Sequence, residues 1–120
     1  MTLSLKTKIS TPRYRQTRRF YEDVFGMTVA EEWDEPGDVG VILCLSDNRD
    51  EALLEIYLTE QEADFAALSL QFRVDSLSDF EKSLPDNVEY EGPTPRPWGS
   101  TYLYLRDPND IQIIVYEGGL

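Results

Sequence analysis

Histidine is absent from the 120 residues. Its absence removes the side chain that most readily exchanges protons near neutral pH and most often ligates a transition metal. Cysteine is reduced to one, Cys44, so no internal disulfide can form and a thiol nucleophile would lack its usual imidazole partner. Set among the apolar residues 41–45, Cys44 reads as an inert buried thiol in a reducing, cytoplasmic setting. There is no apolar run near the ~18 residues of a membrane span and no basic-then-apolar leader, so neither membrane nor export is expected. Basic residues are scarce. Eleven Lys and Arg against 23 Asp and Glu leave a formal net charge of −12, which argues against nucleic acid, because phosphate binding needs a basic field. Phosphate-cradling glycine loops, serine–histidine arrangements and paired carboxylates at catalytic spacing are also missing.

What remains is ordinary for a folded chain: 41% hydrophobic and 28% charged residues. The length fits one domain, 1–120, able to bury a core without disulfide staples. Charge is unevenly spread. Lys6, Lys8, Arg13, Arg15, Arg18 and Arg19 place six of the eleven basic residues in the first nineteen positions. Carboxylates crowd the expected loops at Glu31, Glu32, Asp34, Glu35 and Asp38, then Asp47, Asp50 and Glu51, and read as a solvated, self-repelling surface.

Residues 3–10 alternate as a half-buried strand. Thr11 and Pro12 look like a helix N-cap followed by proline in the first turn. Tyr14, Thr17, Phe20, Tyr21, Val24 and Phe25 then recur at helical spacing, with Gly26 as a left-handed stop. Arg18–Glu22 and Arg19–Asp23 are expected to be solvated pairs on this helix. Strands are predicted at 27–33, 39–46 and 52–59, with turns at 35–38 and 46–50. The order then repeats. A strand falls at 68–74, and Ser76 with Asp79 forms a capping-box start for a short helix carrying Leu77, Phe80 and Leu84, stopped by Pro85. Strands are predicted at 87–91, 100–106 and 111–117, the last two joined by a turn at 107–110, with 92–99 a stiff proline-rich loop. The fold class is α+β: two βαβββ modules, 1–60 and 65–118, forming a cupped mixed sheet with both helices on its convex face.

Alternation sorts the strands into two faces. Leu3, Leu5, Ile9, Leu54, Ile56, Leu58, Leu70, Phe72, Val74, Leu103, Leu105, Ile111, Ile113 and Val115 form a uniformly apolar face for the core. The opposite face holds Lys6, Lys8, Leu53, Glu55, Tyr57, Ser69, Gln71, Arg73, Tyr102, Tyr104, Gln112, Ile114 and Tyr116. A tyrosine-rich face with sparse mixed charge suits a cup for an organic ligand and equally a subunit interface, and a dimer can combine the two. Lys6, Lys8 and Arg73 outnumber Glu55, so the floor should be neutral or positive and suit a carboxylate, enolate or phenolic oxygen. Trp33 and Trp98, at strand ends, either stack on a planar ligand or plug the core.

Arg19–Met27 (RFYEDVFGM), Ala52–Tyr57 (ALLEIY) and Pro97–Asp110 (PWGSTYLYLRDPND) together resemble the vicinal oxygen chelate superfamily, which includes glyoxalases, bleomycin-resistance proteins and extradiol dioxygenases. The resemblance covers nearly the whole chain, including the doubled element order. One departure is Asp110, where the family usually has glycine; aspartate tolerates a left-handed turn.

The resemblance implies metal-ligand positions at Lys6, Glu55, Ser69 and Ile114, and of these only Glu55 is a usual ligand. One carboxylate beside an ammonium, a hydroxyl and an aliphatic chain does not make a zinc, nickel or iron site, so no metal and no cofactor are expected. The Lys6–Glu55 pair becomes the electrostatic centre of the cup, in a structural, ligand-orienting or catalytic role. The function implied is a metal-free protein that binds or sequesters an amphipathic or aromatic small molecule, as a homodimer. The alternative is a lyase, isomerase or ring-cleaving dioxygenase of the same superfamily, metal-dependent or using Lys6 and Glu55 as acid and base. Bleomycin-resistance proteins take a cationic ligand, which the acidic surface would suit and the basic floor would not.

Overall fold

Hydrophobic alternation becomes strand pairing in two similar units, Met1–Ala63 and Asp64–Leu120. The computed structural model describes residues 1–49 and 51–120; Asp50, assigned above to a turn, lies outside the described residues. Each unit runs strand, helix, strand, strand, strand, the α+β arrangement expected from the sequence. Among the described residues no helix is long and apolar enough to cross a membrane.

In the first unit, β1 (Leu5–Thr11), α1 (Tyr14–Phe25), β2 (Thr28–Glu35), β3 (Asp38–Cys44) and β4 (Ala52–Leu58) build a sheet of order β1-β4-β3-β2. The β1–β4 pair is parallel and the others antiparallel. Register aligns Ile9, Ile56 and Val41 across three strands, and all three are almost fully buried. At roughly 1.5–3 kcal/mol per buried aliphatic side chain, that row anchors the unit. From α1, Tyr14, Thr17, Tyr21 and Val24 are buried, at the three-to-four spacing that puts them on one face. Gly26 ends the helix at φ 66°, its N–H donating to the Glu22 carbonyl while the Met27 N–H donates to that of Tyr21.

The start of α1 differs from expectation. Thr11 is not its cap but the buried last residue of β1, held extended by pairing with Leu58. Its Oγ1 accepts the Arg13 N–H at 2.9 Å, and Arg13 becomes the N-cap, with Pro12 ahead of the helix. Three leucines assigned to the core face are also exposed: Leu3 (80%), Leu5 (66%) and Leu58 (40%). Leu3 precedes β1, and Leu5 and Leu58 sit at strand ends, so alternation places them correctly by side but beyond the patch that is covered.

Between β2 and β3 a Pro36–Gly37 turn closes the hairpin. The pairing skips Ala30 between Val29 and Glu31, and this bulge matters. Strict alternation from Thr28 would send Trp33 to the helix side; the extra residue returns it to the opposite face, paired with Gly40. There the indole lies against the Gly40 backbone, so closely that a Cβ on Gly40 would overlap Cζ2 and meet Cε2 at 2.8 Å.

The second unit comprises β5 (Ser69–Arg73), α2 (Leu77–Ser83), β6 (Glu91–Pro95), β7 (Thr101–Arg106) and β8 (Gln112–Glu117), in the order β5-β8-β7-β6. Two rows form its core, Phe72–Val115–Leu103 and Leu70–Ile113–Leu105, with the β7 and β8 members buried and Phe72 and Leu70 half-buried. Ser76 caps α2 by accepting the Asp79 N–H at 3.1 Å, and Glu117 Oε1 accepts the Leu77 N–H at 3.0 Å. The strand expected at 87–91 lies instead at Glu91–Pro95, sharing only Glu91 with the expectation and otherwise inside the segment 92–99 read as a loop. Its two prolines are tolerated because β6 is an edge strand bonded only to β7, with irregular register between Glu91 and Thr94.

The turn at 107–110 forms as expected. Buried Asp107 accepts the N–H groups of Asn109 (2.8 Å) and Ile111 (3.0 Å) through Oδ1, and Asp110 adopts φ 63°. Asp107→Ala leaves two buried N–H groups without that acceptor and should lower stability by about 2–4 kcal/mol in urea unfolding, with Asp107→Asn recovering more than half. Gly40→Ala displaces the Trp33 ring. With Trp98→Phe as background, so that Trp33 is the one indole, its emission should move to longer wavelength and stability should fall by about 1–2 kcal/mol.

Candidate functional site

The face of the first sheet opposite α1 is built by register. Lys8 aligns with Glu55 and Ile42, Lys6 with Leu53 and Cys44, and Ser10 with Tyr57, Gly40 and Trp33. Glu55 is the buried charge of this face, its side chain 11% exposed, while Lys6 and Lys8 are about half exposed at 49% and 51%. Lys6 Nζ stands 3.6 Å from Oε1 and Lys8 Nζ 3.6 Å from Oε2. A carboxylate with so little water needs a counter-charge, and here it has two. The same Lys8 ammonium sits 4.3 Å from the centre of the Tyr57 ring.

Asp38 completes the row. Its Oδ1 accepts the Trp33 indole N–H at 2.9 Å. It also accepts the Tyr57 hydroxyl, and that bond, with burial and the nearby Asp38 and Glu55 charges, pushes the Tyr57 pKa above its ordinary value. Tyr57 is therefore a neutral phenol whose proton is committed. Trp33, Asp38, Tyr57, Lys8, Glu55 and Lys6 thus form one contiguous chain of contacts. Gly40, Ile42 and Asp38 were not among the site residues read from the sequence; the period-2 pattern Gly40–Ile42–Cys44 was the signal available.

In the second unit the corresponding face is aromatic. Tyr102 is central, with ring centres of Trp98 at 5.6 Å, Tyr116 at 5.8 Å and Tyr104 at 6.0 Å. Trp98 is 51% exposed and carries the Arg96 guanidinium 4.9 Å from its ring, so it does not plug the core. Gln71 aligns with Ile114 and Tyr104, Ser69 with Gln112, and Arg73 with Tyr116. Ile114 is buried at 7%, and the Ser69 hydroxyl is buried without a hydrogen-bond partner. Arg73 is partly committed, its Nε donating to the Gly118 carbonyl at 2.9 Å.

The four positions that the resemblance assigns to metal ligation can be judged by their donors. Both Glu55 oxygens face ammonium groups, Lys6 has no lone pair while charged, Ser69 offers one hydroxyl and Ile114 none. Among the described residues, no group of three or more His, Cys, Asp and Glu is placed to hold an ion. The donor set does not fit a transition metal.

A groove of about 560 Å³ opens on the other side of the first sheet, between α1 and the β2–β3 hairpin, with Arg15, Arg18, Arg19, Glu32 and Leu58 in its wall. Arg18 is no solvated ornament. It bonds Glu22 (3.1 Å), Glu32 (2.8 Å) and the Tyr14 hydroxyl (3.3 Å), tying α1 to β2. Burial opposes its charge, and the bonds to Glu32, Tyr14 and Glu22 outweigh that effect, raising its pKa.

A family model described as Glyoxalase/Bleomycin resistance protein/Dioxygenase superfamily matches residues 5–115. No curated protein matches the sequence. Similar solved structures include a genomically encoded fosfomycin resistance protein from Listeria monocytogenes, with a TM-score of 0.77, 14% identity, and coverage of 100% of this chain and 95% of that one. A lactoylglutathione lyase from Agrobacterium tumefaciens aligns with a TM-score of 0.72 at 20% identity, covering 98% and 95%. An antibiotic-binding protein from a Streptomyces species aligns with a TM-score of 0.71 at 18% identity, covering 99% of each chain. At these identities the structures speak for the vicinal oxygen chelate fold alone. The family match covers most of the sequence, and the chain belongs to the glyoxalase/bleomycin resistance protein/dioxygenase superfamily.

Proposed function

We propose that this chain is a binding or sequestering protein for an amphipathic, partly aromatic small molecule, held by side chains of the helix-free sheet faces without a metal ion. The observation that carries the reading is the pairing of Glu55 with Lys6 and Lys8 at 3.6 Å each. The one carboxylate at a chelating position is neutralised from both oxygens by fixed cations, so its lone pairs are directed at ammonium groups. Tyr57 and Trp33 in the same chain of contacts supply aromatic surface of the kind ligand sites use, and the Tyr102 cluster gives the second unit an aromatic face of its own. The antibiotic-binding relative from Streptomyces offers a precedent on the same fold.

The protein works in this reading as a homodimer in the cytoplasm. Support comes from the exposed Leu3 and Leu5 beside β1, an edge strand of its sheet, and from the buried free thiol of Cys44.

Native mass spectrometry of the freshly purified full chain, paired with elemental analysis, tests all of this together. The expected result is a dimer mass, an organic adduct of a few hundred daltons in part of the population, and no stoichiometric divalent metal. Stoichiometric nickel, zinc, manganese or iron removed by chelator together with turnover of an organic substrate would overturn the reading in favour of a metal-dependent lyase or dioxygenase.

A further inference from the structure

The Lys6–Glu55–Lys8 cluster has a definite sign. Within the trio two ammoniums share one carboxylate, and the exposures place the positive charge outward, at 49% and 51% for the lysines against 11% for the glutamate, while the next carboxylate, Asp38, is taken up by the Trp33 and Tyr57 donors. The contacts are also loose. At 3.6 Å they exceed the ~2.7–2.9 Å of a charge-assisted hydrogen bond, so the ammonium donors are positioned without being used up. Next to them Tyr57 presents a ring whose hydroxyl is spent on Asp38, and partly buried Leu53 and Ile42 flank Glu55 in the register. An anion placed over Glu55 would meet two cationic donors, a neutral phenol ring and aliphatic surface. A cation there would meet two ammoniums.

We infer that Lys6 and Lys8 form a two-pronged seat for the anionic group of an aromatic acid, with Glu55 beneath as the counter-charge that spaces the ammoniums and moderates their pull. This rests on the small-molecule reading above and names the ligand class for the first unit's face. It is the opposite sign from the one the acidic surface, with its net charge of −12, would indicate.

Isothermal titration of the full chain with indole-3-acetate, the neutral indole-3-acetamide and the cation tryptamine holds the ring constant and varies the charge. The acid should bind at least about tenfold more tightly than the amide, with tryptamine weakest. Lys6→Met and Lys8→Met should each weaken acid binding by about threefold to tenfold and leave the amide unchanged. Glu55→Gln keeps the side-chain size and an acceptor oxygen while adding one net positive charge, and should tighten acid binding several-fold. Loss of acid binding in a Glu55→Gln protein with unchanged circular dichroism, or no change at all, would overturn the seat; should that variant unfold, the two lysine variants decide. Equal binding of acid and amide, or preference for tryptamine, removes the anion assignment and leaves the broader reading standing. Absence of binding by all three, with no organic mass retained in native mass spectrometry, removes both.

Discussion

A carboxylate that keeps only a ninth of its surface in water cannot stay charged in a sheet face without compensation, and Glu55 meets that condition by taking an ammonium on each oxygen. The neighbouring arrangement follows from it. Lys6 and Lys8 must lie on the same side of β1, two residues apart, and parallel pairing with β4 sets Lys8 opposite Glu55. Lys8, held there, reaches the Tyr57 ring; Tyr57 turns its hydroxyl to Asp38; and Asp38 also holds the indole of Trp33. A single buried charge thereby organises side chains drawn from all four strands of the first unit.

The two units share an element order and a sheet order, yet their helix-free faces have diverged in kind. The first is held by charge, with aromatic rings at its border. The second is held by ring contacts around Tyr102, with Arg73 tied to a backbone carbonyl and Arg96 over the Trp98 ring. Both retain the same apolar rows on the helix side, because packing a helix on a sheet tolerates few alternatives there. The opposite face carries no such packing requirement, so its chemistry is free to change while the fold persists.

Sequence periodicity made much of this legible. Element order, the Gly26 and Pro85 stops, the Ser76 cap and the Asp107 turn follow from local rules that tertiary context does not override. Both faces of β1, β4, β5, β7 and β8 were assigned by alternation, and Lys6, Lys8 and Glu55 do meet as that assignment requires. What escaped depends on pairing. Thr11 looks like a cap until its ladder with Leu58 is known. Residues 92–95 look like a loop because prolines are excluded from interior strands, and only its edge position makes β6 admissible. Trp33 changes face through a one-residue bulge that leaves no mark in the hydrophobic pattern. Arg18 looks like a surface partner of Glu22 until Glu32 arrives from β2.

The remaining question is what two lysines on this face can do in a chain so acidic. Exposed carboxylates such as Glu31, Asp34 and Glu35 act through water and salt, which screen them over roughly 8–10 Å, while Asp38 is taken up by the Trp33 and Tyr57 donors. Lys6 and Lys8 act at contact distance, above a poorly solvated Glu55, where screening is weakest. For a ligand at the proposed seat, affinity would be governed by the near charges, while the distant field would affect mainly the rate of approach. Two lysines beside one glutamate supply covalently attached positive charge, which offers no open coordination position and no Lewis acidity. An arrangement of this kind suits contact with an anion and not Lewis-acid chemistry, and that is the physical argument behind the proposed reading of this chain as a binder.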